Sequence, residues 1–382
     1  MVDDVLAAFG RLGRSLLNNA LDRTQVVAIT GSAGKTSTKD FIAQVLPGNV
    51  VATPQSYNNE IGLPLTITMA DVTTHFLVLE MGARHIGDIR DLTRIAQPDI
   101  SVVTNVGTAH VASSAAARTS PPPRARSSKP PPGRARRPQR RRRLRAGDAE
   151  PHQRPRRDLR SQRGRHRPRR GRRDRRAGAR LLPPGHPRSF ADVQLQFVGD
   201  VQVHNSLAAA AVGREAGLSV EETAARLSKA QPRSRWRMET HVRADGVTIV
   251  NDAYNANPNS MRHSLDALAS MTGGREQRSV AVLGRMNELG ESSRIAHEEI
   301  GRYAAALDLD QIILVGGEEA GWMQGGVNQA GGKAVHLPDQ DTALHMLHTI
   351  LRPGDVVLVK GSRGVQLQEL ADRLLQPDPG SA

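Results

Sequence analysis

Residues 30–36 read Thr-Gly-Ser-Ala-Gly-Lys-Thr and follow a β-branched apolar run at 26–29. Glycines let a backbone approach a phosphate, and amides at a helix start point at its oxygens. Lys35 would add positive charge and Thr36 a hydroxyl that reaches magnesium. The full motif asks for glycine at the position of Ile29, so a plain strand-to-helix turn is the alternative. The predicted nucleotide-binding residues are Gly31, Ser32, Ala33, Gly34, Lys35, Thr36 and Ser37.

Two further apolar runs end in polar residues. Residues 76–79 precede Glu80, and residues 100–103 precede Asn105 and His110. Continuous apolar runs that alternate with helical segments predict a parallel sheet buried on both faces. Phosphate sites lie at the carboxyl ends of the strands in such sheets. We therefore expect a phosphate loop, a carboxylate and an imidazole at one sheet edge, although Glu80 and His110 could each be ordinary polar residues at a strand exit.

A second α/β unit follows Pro232. It has expected strands near 247–250, 280–283, 312–315 and 356–359, and expected helices near 260–271, 292–307 and 366–375. The predicted fold class is α/β: a P-loop-type central domain with a parallel sheet, a smaller Rossmann-like C-terminal domain and a long disordered Arg/Pro-rich insert. The predicted divisions are 1–24 (an N-terminal remnant), 25–111 and 191–231 (the central domain), 112–190 (the insert) and 232–382 (the C-terminal domain).

The net charge of +15 is concentrated in the insert. Residues 112–190 hold 26 arginines and one lysine against four acids, whereas the rest of the chain carries 26 basic and 34 acidic side chains, a net charge of −8. With so little apolar surface the insert should be disordered. Three interpretations stay open: a wrong-frame translation of a GC-rich gene, which its single lysine and abrupt start favour, a solvated linker, or a nucleic-acid-binding segment.

The composition excludes several classes of protein. The chain has no cysteine, so disulfides and thiolate chemistry are ruled out. No apolar run approaches the roughly 20 residues of a membrane helix, and residues 1–17 are unlike a secretory signal. We expect a cytoplasmic monomer that has no membrane partner. Any binding to nucleic acid should be non-specific and should occur through the insert.

Five motifs in order resemble the ATP-dependent Mur ligases of peptidoglycan synthesis, over roughly residues 20–111 and 191–375. Beside the loop at 30–36 they are Ser-Tyr-Asn-Asn-Glu-Ile-Gly-Leu-Pro at 56–64, Leu-Glu-Met-Gly at 79–82, Asn-Val-Gly-Thr-Ala-His at 105–110 and Asn-Asp-Ala-Tyr-Asn-Ala-Asn-Pro at 251–258. The last string and Arg-Trp-Arg-Met-Glu at 235–239 are most similar to the branch that joins D-alanyl-D-alanine to UDP-N-acetylmuramoyl-tripeptide.

The resemblance implies ATP and Mg²⁺ as cofactors and a role for each matching residue. Lys35 would hold the β- and γ-phosphates as a catalytic residue together with Glu80 and His110. Thr36 and Glu80 would bind one magnesium ion and His110 a second. The remaining implied contacts are the substrate residues Asn58, Asn59, Glu60, Lys360, Ser362 and Arg363, and the adenosine residues Asn255 and Asn257.

Local alternatives and other functions remain open. Asn255 and Asn257 could be turn residues before Pro258, and Lys360 and Arg363 could hold a helix start. The family's Ala-Lys-Gly/Ser-Glu stretch after the His110 position has no match here, so this chain is expected to be weakly active or inactive. The alternative functions are another ligase of the superfamily, such as a folylpolyglutamate-type enzyme, and an arginine-rich nucleic-acid-binding protein.

Overall fold

The computed structural model describes residues 1–105, 190–273 and 277–376, together with the backbone of two short strands at 142–145 and 178–181. The first sheet has the strand order β2-β3-β1-β4-β5 and its pairs are parallel. Its strands are β1 (Gln25–Thr30), β2 (Val50–Ala52), β3 (Phe76–Glu80), β4 (Ile100–Val103) and β5 (Arg142–Arg145). Because β1 lies between β3 and β4, its end meets both Glu80 and Val103 at one edge of the sheet, as predicted.

Helices cover both faces of this sheet. Alternate β1 residues point to opposite sides: Val27 and Ile29 belong to one buried cluster, and Val26 and Ala28 to another. Helices α2, α5 and α6 pack in the first cluster, and α1, α3 and α4 in the second. The helices are α1 (Val5–Asn19), α2 (Lys35–Val45), α3 (Gly62–Thr68), α4 (Asp88–Ala96), α5 (Val201–Glu215) and α6 (Val220–Lys229).

Part of the predicted insert is described as strand. Strand β5 extends the first sheet beside β4, and β6 (Gly178–Leu181) pairs antiparallel with β7 (Ala191–Gln194). The sequence predicted no element at either position. A sheet edge offers unpaired backbone groups that any extended segment can pair with, whatever its side chains. The rest of the predicted disordered insert, and His110, lie outside the described residues.

The C-terminal unit is a second, mainly parallel sheet in the order β12-β11-β10-β13-β9-β8. Edge strand β8 runs antiparallel to β9, which the sequence did not predict. The strands are β8 (Glu239–Val242), β9 (Thr248–Asn251), β10 (Ser279–Leu283), β11 (Gln311–Val315), β12 (Val335–Leu337) and β13 (Val356–Lys360). The helices are α7 (Pro258–Thr272), α8 (Ser293–Ala306), α9 (Glu318–Gln329), α10 (Gln340–Ile350) and α11 (Leu367–Leu374). The predicted strands and helices of this unit are confirmed within a few residues.

Local capping also follows the sequence. Ser219 accepts a hydrogen bond from the backbone of Glu222 at 3.0 Å, and the Glu222 carboxylate accepts one from the Ser219 backbone at 2.8 Å. This capping box fixes the start of α6. Of the helices in the described ranges, none has the length and apolar character needed to cross a bilayer.

Candidate functional site

A cavity of about 800 Å³ opens between the carboxyl edge of the first sheet and the C-terminal unit. Its walls come from the loop before α2, the segment after β2, the end of β3 and the turns after β9 and β13. The structure thus brings together most of the predicted site residues. Gly31 and Ser362 do not line the cavity, and His110 lies outside the described residues.

The loop before α2 needs its two glycines. Gly31 has φ +143° and Gly34 has φ +80°, in the region that L side chains rarely adopt. A Cβ at Gly31 would lie 2.1 Å from the Thr104 hydroxyl, and one at Gly34 would lie 2.6 Å from the Asn205 side-chain oxygen. Ile29, where the motif asks for glycine, is a fully buried core residue of β1. The departure from the motif therefore falls in the strand and leaves the loop itself intact.

The residues that follow β4 hold this loop in place. Asn105 accepts hydrogen bonds from Ser32 N–H at 3.2 Å, through its backbone oxygen, and from Ala33 N–H at 2.9 Å, through its side chain. The Thr104 hydroxyl donates to the Ala33 carbonyl at 2.6 Å. Helix α2 begins at Lys35, so the first amides of the helix have no intrahelical acceptor and are available to an anion.

Lys35 lies over the loop, where its ammonium group donates to the Gly31 carbonyl at 2.8 Å. Burial lowers the pKa of Lys35; the Glu80 carboxylate opposes this shift and the Arg237 guanidinium adds to it. Burial disfavours the charged form of this ammonium group, and a polyphosphate beside it would favour that form again.

Thr36 and Glu80 form the predicted metal pair. The Thr36 hydroxyl donates to one Glu80 carboxylate oxygen at 2.8 Å, and the Asn58 side-chain amide donates to the other at 2.8 Å. Thr36 and Glu80 are both buried. Mg²⁺ is usually bound through one or two carboxylates, with substrate phosphates and water completing its shell. The described residues offer no cluster of three or more His, Cys, Asp or Glu, so one carboxylate and one hydroxyl fit a magnesium ion that arrives with a nucleotide.

The segment after β2 brings three predicted substrate residues to the cavity. Besides Asn58, these are Asn59 and Glu60. The Asn59 side chain accepts hydrogen bonds from Gly62 N–H at 2.9 Å and Ile61 N–H at 3.3 Å, which holds the start of α3. Glu60 is exposed at the cavity wall. Asn58 and Asn59 thus have internal partners, whereas Glu60 faces solvent.

The predicted adenosine residues lie in the turn after β9. Asn257 accepts from Ser260 N–H at 2.9 Å and is the N-cap of α7. The Asn255 side-chain oxygen accepts from Ala256 N–H at 2.9 Å, and Asn255 is exposed. Both line the cavity. The side-chain oxygens of both residues therefore stabilise the turn, as the sequence allowed when it left a turn role open. Both residues still lie at the cavity wall.

The turn after β13 holds the last three predicted residues. Lys360 is buried and forms an ion pair with Asp252 at 2.5 Å. Ser362 is buried, and its hydroxyl accepts from Asn287 N–H at 2.8 Å. Arg363 is exposed, and its guanidinium carbon lies 5.9 Å from the Trp236 ring centre and 5.7 Å from that of Tyr254.

Sequence reasoning missed Arg237, which lines the same cavity with its guanidinium carbon 4.2 Å from the Tyr254 ring centre. Among the described residues, neither Arg237 nor Arg363 has a carboxylate within ion-pair distance, and the same holds for Lys35. Three unpaired cations in one cavity indicate a polyanionic ligand. The signal was present in the 235–239 string, but no spacing rule identified which arginine faces the cavity.

Two family models match the chain. "Mur ligase middle domain" matches residues 29–114, and "Mur ligase, glutamate ligase domain" matches residues 236–363. The chain is also similar to UDP-N-acetylmuramoyl-tripeptide--D-alanyl-D-alanine ligases of other organisms. It is 41% identical to that of Mycobacterium tuberculosis over 402 residues, covering 98% of this chain and 78% of the relative. The Bacillus subtilis protein is 29% identical over 393 residues, covering 98% and 81%.

Solved structures give the same result. MurF from Acinetobacter baumannii superposes with a TM-score of 0.75 at 26% identity, covering 99% of this chain and 82% of that one. MurF from Thermotoga maritima, solved in complex with ADP, gives 0.72 at 26% identity, covering 98% and 84%. This agreement in sequence and fold places the chain in the Mur ligase family, among the UDP-N-acetylmuramoyl-tripeptide--D-alanyl-D-alanine ligases.

Proposed function

We propose that this chain carries out the ATP-dependent ligation named for its relatives, joining the terminal carboxylate of UDP-N-acetylmuramoyl-tripeptide to the amine of D-alanyl-D-alanine in the cytoplasm, as a monomer. The observation that carries the proposal is the set of three unpaired cations, Lys35, Arg237 and Arg363, around a cavity that also holds the Thr36–Glu80 pair. A reaction that brings a carboxylate to a triphosphate needs such a site, because two anions must meet.

In this proposal the loop at 31–36 binds the triphosphate. The first amides of α2 and the Lys35 ammonium group face the phosphate oxygens and offset the charge that accumulates on the transferred group. A carboxylate oxygen attacks the γ-phosphorus and ADP leaves, which produces an acyl phosphate. The dipeptide amine then attacks the carbonyl carbon, phosphate leaves, and the amine loses a proton.

Mg²⁺ would be held by Thr36 and Glu80, and it supplies neutralisation of phosphate charge. Asn58 orients the Glu80 carboxylate through the oxygen that Thr36 does not use. His110 is proposed as the ligand of a second magnesium ion on the family resemblance alone, since it lies outside the described residues.

The other proposed contacts follow from position. Arg363 is exposed at the cavity and suits the free carboxylate of the incoming dipeptide, because a guanidinium pairs well with a carboxylate. Glu60, with Asn58 and Asn59, faces the sugar-peptide substrate. Asn255 and Asn257 flank the adenosine at the cavity wall.

A substrate panel tests the proposal. ADP release is measured with the tripeptide nucleotide and D-alanyl-D-alanine together, with each omitted in turn, and with a folate and glutamate as the alternative pair. Mg-ATP binding is measured by calorimetry as well. An interruption of the central domain at 112–190 would lower the rate of ligation more than it lowers the affinity for Mg-ATP. We expect saturable Mg-ATP binding, and ADP release that is weak at most and that requires the complete first pair. Release with the folate pair, or absence of Mg-ATP binding, would contradict the proposal.

A further inference from the structure

The ammonium group of Lys360 is fully engaged inside the protein. Lys360 ends β13 and is 2% exposed. Its nitrogen donates to the Asp252 carboxylate at 2.5 Å, to the Asn255 carbonyl at 3.1 Å and to the Asp252 carbonyl at 3.3 Å. An ammonium group has three hydrogens, so three acceptors leave none for a ligand. Its role is therefore internal, unlike the substrate contact that the sequence suggested.

All three acceptors belong to the turn that follows β9, residues 252–255. The Asp252 carboxylate has two more partners: it accepts from the Ser264 hydroxyl at 2.6 Å and from Met238 N–H at 3.0 Å. The lysine thus joins the end of β13 to a turn that also contacts α7 and the segment before β8. Removing one partner of such a buried pair leaves a charge without compensation.

The 252–255 turn also holds the segment 236–238. Besides the bond from Met238 N–H to Asp252, Tyr254 N–H donates to the Trp236 carbonyl at 3.1 Å. The Tyr254 ring also lies under the Arg237 guanidinium at 4.2 Å. Each residue of the segment therefore contacts the turn, and Arg237 is the one that lines the cavity.

The segment cannot keep this shape without support. Trp236 has φ +60° and Met238 has φ +53°, so two bulky residues on either side of Arg237 adopt the left-handed region. A non-glycine residue in that region costs on the order of 1–2 kcal/mol. Such conformations persist only where surrounding contacts fix them. The contacts from Asp252 and Tyr254 are those supports.

We propose that Lys360 is a positioning residue, which fixes the 252–255 turn and through it directs Arg237 toward the phosphates of the bound nucleotide. This inference rests on the proposed function, since it takes ATP as the ligand. Arg237 and Lys35 line the same cavity, so a polyphosphate bound at the loop before α2 would lie within that shared cavity. Lys360 itself does not touch the ligand.

Calorimetric binding of Mg-ATP to the full chain tests the proposal. Lys360→Met keeps the length of the side chain and removes its charge and its donors. We expect a loss of affinity of about tenfold or more, which corresponds to about 1.4 kcal/mol. The matched control is Lys333→Met, because Lys333 is an exposed lysine of the same unit; its affinity should equal that of the unmodified chain.

A double-mutant cycle separates positioning from direct contact. If Lys360 acts through Arg237, then Lys360→Met combined with Arg237→Met should bind Mg-ATP no more weakly than Arg237→Met alone. Additive losses would overturn the inference, because they indicate an independent contact. Unchanged affinity of the Lys360→Met variant would also overturn it and would leave the proposed function standing.

A second variant covers the case in which Lys360→Met does not fold. Tyr254→Leu leaves both members of the Lys360–Asp252 ion pair in place and removes the ring under Arg237, a ring that also lies 5.7 Å from the Arg363 guanidinium carbon. It should show the same non-additivity with Arg237→Met. If Tyr254→Leu binds Mg-ATP as the unmodified chain does, the route through the turn is wrong. Failure of the unmodified chain to bind Mg-ATP would overturn the proposed function and this inference together.

Discussion

The Thr36 hydroxyl donates a 2.8 Å hydrogen bond to Glu80, a residue 44 positions away in sequence. The bond joins the first turn of α2 to the end of β3, and it exists because β1 and β3 are parallel neighbours whose carboxyl ends coincide. The fold thereby places a carboxylate beside the loop at 31–36. In the proposed function, a cation that arrives with the nucleotide would lie next to both Thr36 and Glu80.

Replacing Glu80 with glutamine should separate nucleotide binding from magnesium binding. The amide keeps the shape of the carboxylate, and the Thr36 hydroxyl can rotate to suit it. We expect ATP binding to lose most of its dependence on Mg²⁺, and turnover to fall by about a hundredfold or more. Calorimetry with and without Mg²⁺ measures the first effect. Glu291→Gln, at an exposed position, is the control; an unaltered magnesium dependence in Glu80→Gln would refute the metal assignment.

Lys35→Ala should abolish ATP turnover in any active form of the chain. The substitution removes the ammonium group that lies at 2.8 Å from the Gly31 carbonyl, within the loop, and no other lysine of the described chain lines the cavity except the paired Lys360. ADP release measures the effect. Measurable turnover that survives in Lys35→Ala would show that another group neutralises the phosphates.

Gly34→Ala should weaken Mg-ATP binding by about tenfold or more. The added methyl group would approach the Asn205 side chain at 2.6 Å, in a backbone conformation with φ +80°. Gly331→Ala is the matched control, because Gly331 also has a positive φ of +77° but nothing within 4 Å of the added atom. Equal effects of both substitutions on binding would mean that the loss reflects general strain from alanine at a positive φ, and not the close approach to Asn205 in the loop.

His297 should make the stability of the C-terminal unit depend on pH. Its ring accepts from Met286 N–H at 2.9 Å and donates to the Ser293 carbonyl at 2.7 Å, which requires the neutral form. Burial lowers its pKa; the bond to Ser293 and the Glu319 carboxylate oppose the shift, and Arg285 adds to it. As pH falls below about 6.5, the unfolded chain takes up the proton first. The free energy of unfolding should therefore decrease from that pH downward.

Urea titrations between pH 7.5 and 5.5 measure this dependence. His297→Gln should be less stable at neutral pH, since it loses the acceptor for Met286, and should show a smaller change in stability across this range. His345→Gln, at an exposed position, should keep the dependence of the unmodified chain. If His297→Gln keeps it as well, another group is responsible.

Resequencing the DNA around codons 111–190 tests the wrong-frame interpretation of the insert. The match to the middle-domain family model ends at residue 114, close to where the arginine-rich composition begins. We expect a single-base correction near this point to restore an Ala-Lys-Gly/Ser-Glu stretch, with a compensating shift before residue 191. An unchanged reading frame would leave the linker and nucleic-acid interpretations. Deletion of residues 112–190 with salt-dependent binding to duplex and single strands would then decide between them.

The sequence alone determined the glycine loop at 30–36, the predicted strands of both sheets and the position of Glu80 at the same sheet edge as that loop. These features depend on short-range patterns, such as apolar runs, glycines at a turn and a capping box, together with the rule that parallel strands end at one edge. The edge strands β2, β5, β6, β7, β8 and β12 escaped prediction because pairing at a sheet edge depends on the available neighbour more than on the residues that pair.

Only the tertiary structure decided the direction of the polar side chains at the site. Lys360 and Arg363 stand three positions apart in one turn, yet one is buried on Asp252 and the other is exposed at the cavity. Arg237 faces the cavity because the turn at 252–255 holds its two neighbours, Trp236 and Met238, in the left-handed region. Hydrogen-bond partners must lie within about 3 Å, and acceptors from segments more than 100 residues apart meet that condition only in the folded chain.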